Sequence, residues 1–133
     1  MISINAFEKL KTDAKKDSTI GIAITTMLES EGLSFYATEL QSHTKITPHY
    51  HKNGEEIYII LQGSGVMHTF SHTEGITKTE AVKTGDVFKI ASYVTHQLEN
   101  NNDSNLTLLF ACPPSHLSED RFVSEPIISM GGV

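Results

Sequence analysis

The sequence predicts an all-β fold with one short helix near its N-terminus, and three observations support this class. From Ser18 onward the apolar runs are short and rich in β-branched residues, a composition typical of strands. Turn residues such as Asn53-Gly54 and Thr84-Gly85 separate the runs. The runs also recur at regular spacing, which indicates either a β-sandwich or a closed barrel.

The helix is predicted over residues 6–15, at the start of the chain. Asn5 is placed to act as its N-cap, and Glu8 follows three residues later in a capping-box arrangement. Phe7 and Leu10 lie on one face of such a helix. Because the rest of the chain reads as strands, the helix is expected at the periphery of the fold.

Nine strands are predicted to follow the helix. Pro113-Pro114 ends the last of them, because neither residue can donate a hydrogen bond to a neighbouring strand. Residues 113–133 are then a tail, with a short edge strand near Phe122-Val123 and Ile127-Ile128. Residues 118–121 are expected to form a solvated turn that caps the open end of the barrel or crosses to a neighbouring subunit. The predicted strands cover residues 19–25, 33–40, 47–50, 56–61, 65–70, 76–82, 86–90, 95–99 and 105–111.

Length and composition predict one domain over residues 1–133, with a core barrel at about residues 19–112. The net charge is −6 and the lysines are scattered, so the sequence shows no basic patch that would bind a nucleic acid. No apolar run approaches the roughly 20 residues that cross a bilayer, so no membrane partner is expected. The single Cys112 cannot form an internal disulfide, and no secretory leader pattern opens the sequence. A cytoplasmic location is predicted.

A pair of histidines begins the pattern that carries chemistry. His49 and His51 project from the same face of a strand, because side chains alternate with a period of two. The Asn53-Gly54 reversal then returns the chain so that Glu56 lies over the two rings. Far downstream, His96 points into apolar surroundings, where an unpartnered imidazole is costly. Three imidazoles and one carboxylate leave one or two open positions on an octahedral metal ion.

These residues resemble the two sequence motifs of the cupin family. The first motif reads His-x-His, three or four residues, Glu, six residues, Gly, and it is matched by His49, His51, Glu56 and Gly63. The second reads Gly, five residues, Pro, x, Gly, two residues, His, three residues, Asn, and it is matched by Gly85, His96 and Asn100. The resemblance covers about residues 33–112. It implies a double-stranded β-helix, the jelly-roll barrel of small single-domain cupins.

Three positions depart from the family pattern. Ala91 stands where the second motif usually has proline, Tyr93 where it has glycine, and His43 where the first motif usually opens with glycine. Proline and glycine at such positions shape the backbone and are not ligands. We therefore expect an altered loop beside an intact set of metal ligands.

The resemblance implies a function as well as a fold. Cupins of this kind hold one divalent transition-metal ion (iron, manganese, nickel, cobalt or zinc), and the motif positions that would hold it here are His49, His51, Glu56 and His96. Such cupins include dioxygenases, isomerases, epimerases and lyases, so we predict a metal-dependent enzyme that acts on a small polar metabolite. The alternative is a cupin that binds or senses a small molecule without turnover. Two-fold contacts are common in homo-oligomers, and a homodimer is expected.

Several further residues receive predicted roles. Glu55 competes with Glu56 as the ligand, but strand parity with Tyr58 favours Glu56. Tyr58 is the candidate catalytic residue, either as a general base or as a hydroxyl that orients the substrate. The candidate substrate pocket consists of Gln62, Phe88 and Phe110. The residues expected to have structural roles, on the surface or in the core, are Cys112, His43, His68, His72 and His116.

Overall fold

The computed structural model describes residues 1–127. Its N-terminal helix, α1 (Ala6–Asp13), begins at Asn5, whose Oδ1 accepts a hydrogen bond of 3.1 Å from the backbone N–H of Glu8. The helix ends two residues earlier than predicted, because Ala14 has an extended backbone and the first strand starts at Lys15. The predicted cap and the predicted short helix are both present.

All nine predicted strands are present, with ends that differ from the prediction by at most three residues. The largest difference is in β2, because Gly21 has a φ of +79° and its N–H donates a 2.8 Å hydrogen bond to the carbonyl of Asp17 in a turn. Within residues 1–127 the strands are β1 (Lys15–Asp17), β2 (Ile22–Leu28), β3 (Ser34–Leu40), β4 (Thr44–Lys45), β5 (His49–Tyr50), β6 (Glu56–Gln62), β7 (Ser64–Ser71), β8 (Thr77–Lys83), β9 (Val87–Ile90), β10 (Val94–Asn100), β11 (Leu106–Cys112) and β12 (Phe122–Val123).

The strands form two antiparallel sheets, which confirms the predicted all-β class. The first sheet has the order β1-β2-β3-β11-β6-β9, and the second has the order β12-β5-β10-β7-β8, with β4 also paired to β10. Strand β12 pairs with β5 and confirms the edge strand predicted at Phe122-Val123. Ile127 lies outside this strand, and Ile128 lies outside the described residues. The tail therefore returns to the barrel beside the strand that carries His49.

The main core lies between the inner faces of the two sheets. Its fully buried side chains include Leu40, Ile60, Leu98, Leu106 and Leu108. Side chains alternate as the sequence predicts: on β6, Glu56, Tyr58 and Ile60 are buried while Ile57 is exposed. Polar side chains replace apolar ones at one end of this inner face, and that end holds the candidate site.

Two of the positions where the sequence departs from the cupin pattern have an unusual backbone. His43 has a φ of +56° and Tyr93 a φ of +61°, the left-handed region that favours glycine. Such a residue costs about 1–3 kcal/mol and persists only when its surroundings hold it. Hydrogen bonds do so at Tyr93, whose N–H donates to the carbonyl of His51 (2.8 Å) and whose carbonyl accepts from the N–H of His72 (2.9 Å). The loop before His96 is thus tied to the segment that carries His51.

Candidate metal centre

Three histidine side chains meet at one end of the barrel interior. His49 lies on β5, His51 follows it by two residues, and His96 on β10 pairs directly with His49. The ring centroids are 4.4 Å apart for His49 and His96, 5.2 Å for His49 and His51, and 5.3 Å for His51 and His96. All three residues are at most 5% exposed. One ring nitrogen of each lies within 4.8 Å of the other two, close enough for a single ion to bridge them.

Hydrogen bonds fix which nitrogen of each ring carries the proton. Nδ1 lies 2.8 Å from a backbone carbonyl oxygen in His49, 2.6 Å in His51 and 3.0 Å in His96. A carbonyl only accepts, so Nδ1 donates and Nε2 of each neutral ring keeps a lone pair. The accepting carbonyls belong, in the same order, to Thr47, Asp120 and Val94.

The Nε2 atoms of His51 and His96 are buried and have no hydrogen-bond partner among the described residues. Leaving buried acceptors unpaired costs free energy, and converging lone pairs repel one another. A divalent cation bound by these atoms removes both costs, and backbone-anchored imidazoles are the usual form of histidine metal ligands. The donor set therefore fits a transition-metal ion.

Glu56 is the carboxylate that lies beside these rings. It is 3% exposed, with Oε2 3.0 Å from Nε2 of His51 and Oε1 3.5 Å from Nε2 of His96. Burial alone would raise the pKa of Glu56, but the hydrogen bond from His116 holds it well below its usual range. Glu55, the competing carboxylate, is half exposed and pairs with Lys89 at 3.2 Å.

Tyr58 is buried next to Glu56 on the inner face of β6. Its hydroxyl donates a hydrogen bond of 2.7 Å to Oε1 of Glu56. Burial, together with the charge of Glu56, raises the pKa of Tyr58 well above its usual value. The hydroxyl therefore keeps its proton and acts as a donor towards Glu56, which favours the orienting role over the role of general base.

His116, which the sequence analysis left outside the site, lies within it. This residue belongs to a 3-10 helix (Pro114–Leu117) directly after β11, and its ring stacks on His51 with centroids 4.0 Å apart and planes within 2°. Its Nδ1 donates to Oε2 of Glu56 at 2.9 Å. Burial alone would lower the pKa of His116, but the bond to Glu56 and a second bond to the carbonyl of Asn53 raise it.

Neither cupin motif includes His116, so the motif spacing could not predict that this residue lies in the site. The strand pairing explains its position: the end of β11 lies beside the start of β6 in an antiparallel pair, where Ala111 faces Ile57. The other histidines outside the motifs agree with the prediction. They bond to residues away from the three rings: His43 to Asp103 (2.7 Å), His68 to Glu99 (2.9 Å) and His72 to Thr95 (2.6 Å).

Asp120 connects the tail to the loop between the candidate ligands. Its carboxylate accepts hydrogen bonds from the backbone N–H groups of Lys52 (2.7 Å) and Asn53 (2.8 Å), and its carbonyl accepts from His51. Burial would raise the pKa of Asp120, but these backbone bonds lower it. The prediction of a solvated turn is therefore wrong at Asp120, which is 5% exposed because it caps this loop.

A small cavity lies beside His49, His51 and Glu56 on the side of the first sheet. This cavity of about 20 Å³, room for roughly one water molecule or ion, is bordered by His49, His51, Glu56, Tyr58 and Phe110. A larger groove of about 430 Å³ runs along β7, β8 and β9 and includes Phe88 in its wall. The Phe88 and Tyr58 rings are 5.3 Å apart, so an aromatic contact joins the wall of the groove to the wall of the small cavity.

Comparison with known protein families decides the membership of the chain. The family described as cupin matches residues 5–121, most of the chain. The chain belongs to the cupin family. No curated protein matches the sequence.

Solved structures confirm the cupin fold. A conserved protein from Klebsiella pneumoniae with a double-stranded β-helix domain aligns with a TM-score of 0.72 at 14% identity, over 95% of this chain and 99% of that one. A predicted oxalate decarboxylase from Thermotoga maritima aligns with a TM-score of 0.69 at 24% identity, over 84% and 98%. The capsular polysaccharide assembling protein CapF from Staphylococcus aureus gives 0.69 at 17%, over 78% and 30%. This cupin thus spans about a third of CapF, and the identities establish fold alone.

Of the other residues given predicted roles, one borders the small cavity and two do not. Phe110 borders the small cavity and stacks on Tyr36, with centroids 5.2 Å apart. Gln62 has the same strand parity as Glu56 but is exposed at the far end of β6, where the chain leaves the barrel, so it borders neither cavity. Cys112 is fully buried, and burial raises its pKa. A buried neutral thiol agrees with its predicted structural role.

Within residues 1–127, the structure contains no helix that is both long enough and apolar enough to cross a membrane.

Proposed function

We propose that this cupin is a metal-dependent enzyme that acts on a small polar metabolite. One divalent transition-metal ion (iron, manganese, nickel, cobalt or zinc) would be held by His49, His51, Glu56 and His96. The observation that carries the proposal is the convergence of imidazole Nε2 atoms, two of them buried without a hydrogen-bond partner within residues 1–127. The low pKa of Glu56 supports it further, since a carboxylate is charged when it binds a cation.

The ion, when bound, supplies Lewis-acid polarisation of an oxygen ligand. The chain supplies orientation and the control of protons. The hydroxyl oxygen of Tyr58 lies 2.7 Å from Oε1 of Glu56 and keeps its proton. The hydroxyl can therefore donate a hydrogen bond to Glu56 or, in place of Glu56, to a substrate oxygen. Phe110 and the apolar wall of the small cavity keep water away from this hydrogen bond. A substrate is proposed to approach through the groove that Phe88 borders.

Reaction class is tested with protein loaded anaerobically with iron(II) and a panel of small hydroxy acids, thiols and sugars. Dioxygen uptake with product formation supports a dioxygenase. Product formation without dioxygen uptake supports an isomerase, an epimerase or a lyase. The structural neighbour from Thermotoga maritima is a predicted oxalate decarboxylase, so small dicarboxylates belong in the panel as candidate substrates.

A second candidate function is a cupin that binds or senses a small molecule without turnover. The observation that favours it is the size of the small cavity beside His49, His51 and Glu56, about 20 Å³, which leaves little room for a substrate next to the ion. Ligand binding by the loaded protein, with no product from any member of the panel, would support this candidate against the enzyme.

Replacing Tyr58 with phenylalanine tests the role proposed for its hydroxyl in the enzyme. We expect turnover of the iron(II)-loaded protein to fall about 10²- to 10⁴-fold, the usual contribution of a positioned proton donor, while metal content stays near that of the wild type. The measurement is kcat on the substrate that the panel identifies, with elemental analysis of the same sample. The matched control is Tyr50→Phe, since Tyr50 is stacked near His72, 4.5 Å between centroids, on the other side of β5. Unchanged turnover in Tyr58→Phe would contradict the assigned role.

We also propose that this cupin forms a homodimer in a reducing compartment such as the cytoplasm. Exposed apolar side chains on the outer face of the first sheet, Ile57 on β6 and Val87 on β9, support a protein contact there. The buried free thiol of Cys112 is compatible with a reducing compartment. Light scattering is expected to give about twice the 14.7 kDa mass of one chain. A single-chain mass at micromolar concentration would contradict the dimer.

A further inference from the structure

The contacts of Glu56 show that this carboxylate is held from two sides. Tyr58 donates to Oε1 (2.7 Å), and His116 donates to Oε2 (2.9 Å). Oε2 is also the atom that lies 3.0 Å from Nε2 of His51. The glutamate side chain has several rotatable bonds, and the two donors leave it one arrangement in which both oxygens face the imidazole cluster.

The second donor is itself fixed in place. The other ring nitrogen of His116, Nε2, lies 2.5 Å from the carbonyl of Asn53, and the ring stacks parallel to His51. The backbone around it is held as well, since the N–H groups of Ser118 and Asp120 both donate to the carbonyl of Ser115 (3.0 and 2.9 Å). His116 is 1% exposed. A side chain so restrained loses little further freedom when it holds a neighbour.

Both nitrogens of the His116 ring are occupied by protein atoms. Nδ1 faces a carboxylate oxygen and Nε2 faces a carbonyl oxygen, so neither nitrogen has a lone pair directed at the centre. This distinguishes His116 from His51 and His96, whose Nε2 atoms have no hydrogen-bond partner in the described part of the chain. The ring is placed to hold a ligand and not to be one.

We propose that His116 is a positioning residue that fixes Glu56 as a metal ligand and so sets the affinity of the centre for its ion. This inference rests on the proposed metal centre. Residues that hydrogen-bond to metal ligands commonly contribute 10- to 100-fold to metal affinity. The tail of the chain, which lies outside both cupin motifs, thereby becomes part of the site.

The test is a competition titration with cobalt(II) and a chromophoric chelator, at a temperature where all variants are folded by circular dichroism. His116→Ala is expected to weaken cobalt(II) binding 10- to 100-fold. His116→Asn places an amide N–H near the position of Nδ1, so its affinity is expected within about threefold of the wild type. His68→Ala is the matched control, because His68 bonds to Glu99 and Thr79 on the other side of the sheet, and it is expected to leave the affinity unchanged.

A double-mutant cycle distinguishes positioning from packing. If His116 acts through Glu56, His116→Ala changes the affinity of a Glu56→Gln protein less than about threefold. An equal loss in both backgrounds would show that His116 acts by packing on His51, and it would overturn the proposal. Wild-type affinity in His116→Ala would overturn it as well. A wild-type protein that binds no cobalt(II) would overturn the metal centre itself and this inference with it.

Discussion

Replacing His96 with alanine is expected to abolish metal binding while the barrel stays folded. The imidazole of His96 is 2% exposed, and its Nε2 has no hydrogen-bond partner in the part of the chain that the structure describes. The variant keeps two imidazoles and Glu56 but loses the ligand on the strand opposite His49. We expect affinity to fall at least about 10³-fold, since the loss of a ligand outweighs the 10- to 100-fold effect of residues that only support ligands.

The stability cost of the same substitution is expected to be moderate. A cavity left by a buried side chain costs about 2–5 kcal/mol, but removal of an unpaired buried nitrogen offsets part of it. Elemental analysis and thermal unfolding monitored by circular dichroism measure the two effects on one sample. His68→Ala, on the adjacent strand β7, is the control and is expected to keep its metal. Near-stoichiometric metal in His96→Ala would contradict the ligand assignment.

The metal-free protein is expected to lose stability as the pH falls from about 6.5 to about 3. Burial, followed by repulsion from His96, lowers the pKa of His49 to about 3. An unfolded chain takes up this proton near pH 6.5, so between the two values the unfolded state binds one more proton and is favoured. His49 has no effect on the pH dependence of stability above pH 6.5. Between about pH 6.5 and about pH 3 it lowers the unfolding free energy by about 1.4 kcal/mol for each pH unit that the pH falls.

Urea unfolding in the presence of a chelator, from about pH 4 to about pH 8, measures this slope. Other groups change in the same range: the lowered pKa values of Glu56 and Asp120 act in the same direction, and the raised pKa of His116 acts in the opposite direction. The informative quantity is therefore the difference between the wild type and His49→Asn, which lacks the titrating ring. Equal slopes in the two proteins would contradict a neutral, buried His49.

Local pattern was sufficient for most of the fold and for the candidate ligands. Alternation on β6 identified Glu56 rather than Glu55 as the inward carboxylate, and the structure places Glu56 among the imidazoles. The same alternation did not place Gln62, because parity gives the face of a strand but not the point where the strand leaves the barrel. The start of β2 was misplaced because the turn closed by Gly21 depends on a hydrogen bond to Asp17.

The residues that pattern reasoning missed are those that reach the site from far along the chain. His116 bonds to Glu56 across 60 positions, and the carbonyl of Asp120 accepts from His51 across 69. Their roles depend on the path of the tail after Pro113, which folds back over the loop between His51 and Glu56. Such contacts leave no periodic signal in the sequence, since they join irregular segments rather than strand faces.

The central claim, that the converging imidazoles hold one divalent transition-metal ion, is tested most directly by metal stoichiometry. Protein purified without added metal is analysed for its elements, then stripped with a chelator and titrated with cobalt(II). We expect close to one transition-metal ion per chain in the first step and one cobalt(II) per chain in the second. Protein that is purified free of metal and also takes up no cobalt(II) would contradict the claim.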